Sequence, residues 1–126
     1  MKNLIKTSVL LFIAASFLTL TSCKKDPSVL KIYVKSSSNQ LVPGARVTIA
    51  GDIYSNPPTR EFVDTAITNS TGYATFDMDK YFGSKPKKSE VGYFDVYVKS
   101  DNKKGKIDGA RVRVHITNVE TVKLDN

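Results

Sequence analysis

Apolar and polar residues alternate over short segments from residue 29 to the C-terminus. This two-residue period is typical of β-strands with one buried face, and no long segment there has the period of an amphipathic helix. The predicted strands are 29–35, 45–50, 61–68, 73–76, 92–99, 110–116 and 119–124. Seven short strands at this spacing predict an all-β fold, a single antiparallel seven-stranded β-sandwich.

The alternation also predicts which side chains form the core. We expect the following residues to face inward: Leu30, Ile32, Val34, Val47, Ile49, Ala74, Phe76, Phe94, Val96, Val98, Val112, Val114, Ile116, Val122 and Leu124. Residues 51–60 and 101–105 are predicted loops, and 69–72 is a tight turn in which Gly72 suits a positive φ. Residues 78–82 fit either a helical turn or an extension of the preceding strand.

The N-terminal segment has a different pattern. Lys2 and Lys6 precede an apolar run over 9–20 that only Ser16 and Thr19 interrupt. A charged region followed by a short apolar region is typical of an export signal, and this run is too short to span a bilayer comfortably. We therefore predict that the chain leaves the cytoplasm.

Leu20-Thr21-Ser22-Cys23 closes this segment and resembles the lipobox of bacterial lipoproteins. In that family the signal is cut before the cysteine, which then carries lipid such as palmitate. The resemblance implies that Cys23 is lipidated and that the protein is anchored to a membrane. Each CH₂ of the lipid that is buried in the bilayer contributes about 0.8 kcal/mol to the free energy of binding. The predicted division is a signal peptide over 1–22, a lipidated cysteine and tether over 23–28, and a β-sandwich domain over 29–126.

The residues that follow the cysteine resemble lipoproteins of the Bacteroidetes group. In that group acidic residues just after the cysteine form a surface-export signal, and Asp26 is the acid present here. The resemblance implies an outer-membrane lipoprotein of the cell envelope and leaves the periplasmic and surface-facing leaflets open. Asp64-Thr65-Ala66 also matches an O-glycosylation pattern of that group, which makes Thr65 a candidate acceptor.

Two further segments carry a resemblance to a known domain. Val-Pro-Gly-Ala-Arg-Val-Thr-Ile at 42–49 and Thr-Asn-Ser-Thr-Gly-Tyr-Ala-Thr-Phe at 68–76 resemble carboxypeptidase regulatory-like domains. Those domains have the fold of transthyretin, so the resemblance implies a transthyretin-like or immunoglobulin-like sandwich. It is moderately specific for the fold and says little about function.

Composition narrows the chemistry. The chain has 19 Lys and Arg against 12 Asp and Glu, a net charge of +7, and one cysteine, which excludes an internal disulfide. Because the lysines lie mostly in the tether and predicted loops, we interpret them as solvated surface and expect no nucleic-acid partner.

Catalytic and metal-binding patterns are missing from the sequence. His115 is the one histidine, and we interpret it as a surface residue on the outward phase of its strand. One histidine and a lipidated cysteine cannot build a zinc site or a nucleophilic triad, and no Gly-x-Ser-x-Gly elbow occurs. Asp77 and Asp79 are better interpreted as turn acids than as a catalytic or calcium-binding pair. We predict no enzyme activity, no cofactor and no metal.

One surface constellation remains as a candidate binding face. Tyr33, Tyr97, Arg111 and Arg113 all lie on outward phases, so they would share a face if their strands lay in one sheet. Tyrosine suits sugars or protein partners, so the face is a candidate for binding a glycan or protein at the cell surface. The alternative is that these long side chains only shield the strands.

The sequence therefore favours a non-enzymatic membrane-anchored lipoprotein that presents a β-sandwich as a binding or structural module. One alternative is an accessory subunit of an outer-membrane glycan or nutrient uptake complex. Another is an inhibitor or immunity-type protein. The sequence does not discriminate between these roles.

Overall fold

The computed structural model describes residues 25–126. Alternating side chains form seven strands in this part of the chain, and one helical turn lies between the fourth and fifth strands. The elements are β1 (Val29–Lys35), β2 (Arg46–Gly51), β3 (Val63–Ile67), β4 (Tyr73–Asp77), α1 (Asp79–Phe82), β5 (Val91–Ser100), β6 (Lys103–Arg113) and β7 (Thr117–Lys123). The helical alternative for residues 78–82 is thus the one observed.

The seven strands form two sheets, which confirms the predicted β-sandwich. One sheet has three strands in the order β4-β1-β7, and the other has four in the order β3-β2-β5-β6. Four of the five pairings between described strands are antiparallel, whereas β1 and β7 are parallel. The parallel pair arises because the chain leaves β6 and crosses to the three-stranded sheet beside the start of β1.

The core lies between the two sheets. Of the side chains predicted to face inward, all but Ile116 are buried, and each large one contributes about 1.5–3 kcal/mol by leaving water. Met78, Tyr81 and Phe82 of the helical turn join them. Within the described residues, the core runs from Leu30 near the start of β1 to Leu124 just after β7.

The strand predicted over 110–116 is observed as β6, which begins earlier, at Lys103, and ends earlier, at Arg113. The expected loop over 101–105 is wrong, because the turn comprises Asp101 and Asn102, with φ +53° at Asp101, and β6 begins at Lys103. At the other end His115 takes a φ of +61°, which breaks the alternation and leaves Ile116 44% exposed.

Local irregularities keep the right side chains on the core side. In β6 an extra residue lies opposite Asp95, where Gly109 takes a φ of +65° and its N–H donates to Asp95 Oδ1 at 2.9 Å. Such a bulge restores the register so that Ala110 still faces inward. The edge strand β3 is shorter than predicted, and its Ile67 is exposed while Ala66 packs against the core.

The sandwich has two distinct ends. Residues 25–28 lead into β1 at the end that we call the entry end, where Val29 pairs with Thr117. The opposite end, the far end, is where Lys35 pairs with Lys123. Seven strand residues at about 3.3 Å each separate the two ends by roughly 20 Å. Since β6 runs toward the start of β7, Lys103 lies at the far end and Arg113 at the entry end.

Candidate functional site

The entry end is closed by hydrogen bonds to a buried serine. Ser28 is fully buried, and its Oγ accepts the backbone N–H of His115 at 2.7 Å. Its own N–H donates to Asp79 Oδ1 at 3.1 Å, and its carbonyl oxygen accepts the N–H of Met78 at 2.9 Å. Asp79 is therefore a structural acid that joins the entering segment to α1.

His115 is a half-buried residue of the turn that follows β6, and not an outward residue of a strand as predicted. Its Nδ1 lies 2.9 Å from the carbonyl oxygen of Asp26, and its Nε2 is buried without a hydrogen-bond partner among residues 25–126. The left-handed turn folds the ring back over the entering segment, which is why strand alternation misplaced it. His115 thus helps to hold the chain where it enters the sandwich. In the same described part, no group of three or more His, Cys, Asp or Glu side chains could hold a metal ion.

The predicted lipidation site and signal peptide lie outside the described residues. Cys23 and residues 1–22 carry no structural description here, so lipidation stays a prediction. From residue 25 onward, the structure contains no helix with the length and apolarity needed to cross a bilayer.

The structure separates the residues of the predicted binding face. Tyr33 lies on β1 in the three-stranded sheet, whereas Tyr97 on β5 and both arginines on β6 lie in the four-stranded sheet. Outward side chains of the two sheets point away from each other across the core. The condition for a shared face is therefore not met by Tyr33, because alternation predicts inside and outside but not which sheet a strand joins. The other three residues do lie in one sheet.

Tyr33 belongs to a compact cluster on the three-stranded sheet. The Lys31 Nζ atom lies 3.9 Å from the ring centroid of Tyr73 and 5.1 Å from that of Tyr33. The two ring centroids are 5.4 Å apart. A cation over aromatic rings is stabilised by about 0.5–1 kcal/mol at an exposed site. The rings of Tyr33 and Tyr73 thus stabilise the positive charge of Lys31.

Arg111 and Arg113 lie in the entry half of β6. Arg111 is opposite Tyr93 and lines a cleft of about 430 Å³ together with Arg60 and Lys87. The N–H of Arg113 donates to Asn118 Oδ1 at 3.2 Å, so this residue helps to shape the turn into β7. The two arginines are thus not adjacent to Tyr97, which pairs further along the strand.

Thr65 lies on the outer face of β3, an edge strand. Its side chain is exposed, and its Oγ1 lies 3.1 Å from the Oγ1 of Thr48 on the neighbouring strand. The hydroxyl is open to solvent, as an acceptor for O-glycosylation must be. The modification itself stays a prediction.

A row of three cations crosses the four-stranded sheet at its far end. Arg46 of β2 lies directly opposite Lys99 of β5, and Lys99 lies directly opposite Lys104 of β6. We call these three residues the basic row. Strand alternation does not reveal this row, because Lys104 falls in a predicted loop and strand registers cannot be read from alternation. The signals in the sequence are the outward phases of Arg46 and Lys99 in their predicted strands.

A second row lies next to the basic row and completes an open cleft. It comprises Thr48, Tyr97 and Lys106, which are also direct neighbours on the same three strands. The cleft has a volume of about 420 Å³, and Asp125 of the C-terminal segment lies on its rim. Tyr97 is 44% exposed there. Of the predicted face, Tyr97 alone lines this cleft.

No carboxylate of the described residues forms an ion pair with the basic row, although Asp125 lines the same cleft. Among residues 25–126, one ion pair is formed near the cleft, between Lys106 Nζ and Asp108 Oδ1 at 2.7 Å. The hydrogen bond and the charge of Asp108 raise the pKa of Lys106, which keeps it protonated. Arg46, Lys99 and Lys104 make no such pair in the described part of the chain, although like charges placed directly opposite each other destabilise a sheet.

Comparison with known proteins does not identify a family for this chain, so the functional argument rests on the site. No protein-family model matches the chain, and no curated protein matches it significantly.

Proposed function

We propose that this protein is a non-enzymatic lipoprotein of the outer membrane that presents its β-sandwich as a binding module at the cell envelope. The observation that carries the proposal is the polarity of the sandwich. Residues 25–28 enter at one end, and the open basic cleft lies near the other end. A lipid on Cys23 would hold the entry end near the membrane and direct the cleft away from it.

The N-terminal pattern supports the anchor. A charged region, an apolar run and Leu-Thr-Ser-Cys occur in the order of a lipoprotein signal. Five residue steps separate Cys23 from Ser28, so the tether reaches at most about 17 Å. Such a short tether keeps the domain close to the membrane and restricts its tilt, so the far end would meet partners first.

The fold and the two motif segments support the binding role. Arg46 follows the Pro-Gly-Ala segment that resembles carboxypeptidase regulatory-like domains, and this segment leads directly into β2. Binding by such a module needs positioned side chains and no reaction. The cleft near Arg46, with cations, a hydroxyl and an aromatic ring, fits that role.

Lipid labelling tests the anchor. The full chain would be expressed in a bacterium of the Bacteroidetes group that is fed an alkyne-tagged palmitate. We expect the wild-type protein to take up the label and to fractionate with the outer membrane, and Cys23→Ala to do neither. Equal labelling of both proteins would overturn the anchor. External protease on intact cells would then separate the surface-facing leaflet from the periplasmic one.

A further inference from the structure

The basic row is an arrangement that folding alone does not explain. Each like-charged pair directly across two strands opposes sheet formation, and here two such pairs share Lys99. Neighbouring strands are about 4.8 Å apart, so the backbones that carry the three cations span roughly 10 Å. Three cations this close, with no carboxylate paired to them in the described residues, form a concentrated positive site.

The second row adds groups suited to a sugar. The exposed ring of Tyr97 offers an apolar surface with a polar tip, and the hydroxyls of Thr48 and Thr65 lie beside it on the same face. Lys106 Nζ lies 5.3 Å from the centroid of the Tyr97 ring. Cations in one row and hydroxyls with an aromatic ring in the next match a ligand whose carboxylates or sulfates alternate with sugar rings and hydroxyls.

The position of the cleft argues against two other anionic ligands. The basic row is near the far end, so headgroups of the membrane that holds the entry end are out of its reach. An acidic peptide that binds by strand addition needs an unpaired strand edge. Of the three strands that line the cleft, β2 and β5 are paired on both sides and β6 is an edge strand. The charged side chains of the cleft lie on the face of the sheet and not along the free edge of β6.

We propose that Arg46, Lys99, Lys104 and Tyr97 form a binding site for an anionic polysaccharide. The cations bind carboxylate or sulfate groups through charge-assisted hydrogen bonds, and the Tyr97 ring contacts the adjacent sugar. This inference rests on the proposed role as a binding module and names its ligand class. The choice of site residues does not depend on lipidation of Cys23, and the exclusion of membrane headgroups alone assumes that anchor.

A pair of matched double variants tests the site. Lys99→Thr with Lys104→Ser removes two neighbouring cations from the cleft. Lys35→Thr with Lys123→Ser removes two neighbouring cations from the outer face of the other sheet, at the same far end. Both variants lose the same net charge, so a difference between them reports the location of the charge. The full chain, purified in detergent, serves as the protein for the assay.

Calorimetry with polygalacturonate and dextran sulfate as probes, and neutral dextran as control, gives the readout. We expect wild type and the Lys35/Lys123 variant to bind one or both anionic polymers, and the Lys99/Lys104 variant to bind about tenfold more weakly or worse. Tyr97→Ala should also bind more weakly. A cooperative unfolding transition of this variant would show that it is still folded. Neutral dextran should not bind.

Several outcomes would overturn the proposal. If wild type binds neither anionic polymer, or if both double variants lose affinity equally, the cleft is not the site. Equal binding of poly-glutamate would show a general response to charge and exclude a polysaccharide site. Lipid labelling of Cys23 is measured separately, so failure of the ligand site and failure of the anchor can be distinguished.

Discussion

The outer faces of the two sheets use similar residues in opposite ways. On the three-stranded sheet Lys31 lies over the rings of Tyr33 and Tyr73. On the four-stranded sheet Lys99 lies between Arg46 and Lys104. One cation is surrounded by groups that stabilise it, and the other by groups that repel it.

The difference shows that composition alone does not identify a binding face. Lysine and tyrosine on outward phases occur on both sheets, so each face would look equally suitable from the sequence. What distinguishes Lys31 from Lys99 is whether the charge is already stabilised within the fold. The three-stranded sheet also has two cations side by side, Lys35 and Lys123, whereas the basic row has three. A cation without a stabilising neighbour has more to gain from an anionic ligand.

The largest expected effect concerns the core that carries both faces. Phe94 is fully buried and packs edge-on against Phe62 and Tyr81, with ring centroids 6.1 and 5.1 Å away. Phe94→Ala should lower the free energy of unfolding by about 3–5 kcal/mol. Denaturant unfolding measures it, with Tyr54→Ala as control because Tyr54 is 91% exposed. Equal losses from both variants would contradict this packing.

A smaller loss of stability is expected from the hydrogen bonds that hold the start of β2, the strand that carries Arg46. The buried Thr68 Oγ1 accepts the N–H of Ala45 at 2.8 Å and donates to the carbonyl oxygen of Val42 at 2.7 Å. Thr68→Val keeps the shape but leaves both groups without partners, which should cost about 1–3 kcal/mol. Thr65→Val on the exposed face of β3, the strand that ends just before Thr68, is the control. A neutral Thr68→Val in urea unfolding would rule out these bonds as stabilising.

Loss of the Lys31 cation on the three-stranded sheet should destabilise the protein modestly. Replacing Lys31 with threonine removes the cation over two tyrosine rings and should lower the free energy of unfolding by about 0.5–1 kcal/mol. Thermal unfolding of Lys31→Thr in the wild-type and Tyr73→Leu backgrounds isolates the interaction. The loss should shrink once Tyr73 is gone, and an unchanged loss would assign it to another cause.

The same substitution on the four-stranded sheet should have the opposite sign. Lys99→Thr removes both like-charged cross-strand pairs and should raise the free energy of unfolding by about 0.2–1 kcal/mol at low salt. The gain should fade as the Debye length shrinks to about 3 Å near 1 M salt. Parallel urea titrations at the two salt concentrations measure it. A loss of stability at low salt would mean that the basic row is compensated within the fold.

Most of the fold could be predicted from the sequence because burial alternates with the strand period. Phe76 and Val96, for example, were predicted to face inward and are buried. The predictions failed where the backbone leaves the regular period. His115 adopts a left-handed conformation that resets the phase, and Lys103 begins a strand whose polar composition looks like a loop. Local patterns do not record either event.

The candidate site was far less accessible to prediction. Tyr97 was identified from its outward phase, but Tyr33 was grouped with it although the two lie on opposite faces of the sandwich. Arg46 and Lys104 are 58 positions apart in number and become neighbours only through their shared partner Lys99. Pairing between strands depends on long-range contacts that no segment of the chain specifies by itself.

The sequence by itself determined that this chain is all β and which strand side chains enter the core. A lipoprotein-type signal before the domain is a further prediction of the sequence. These properties follow from residue type and short-range spacing. The tertiary structure alone decided which strands share a sheet, which end the chain enters, and which cations lie side by side. Strand order and register place residues such as Arg46, Lys99 and Lys104 together, because hydrogen-bonded pairing and not sequence distance sets neighbours in a sheet.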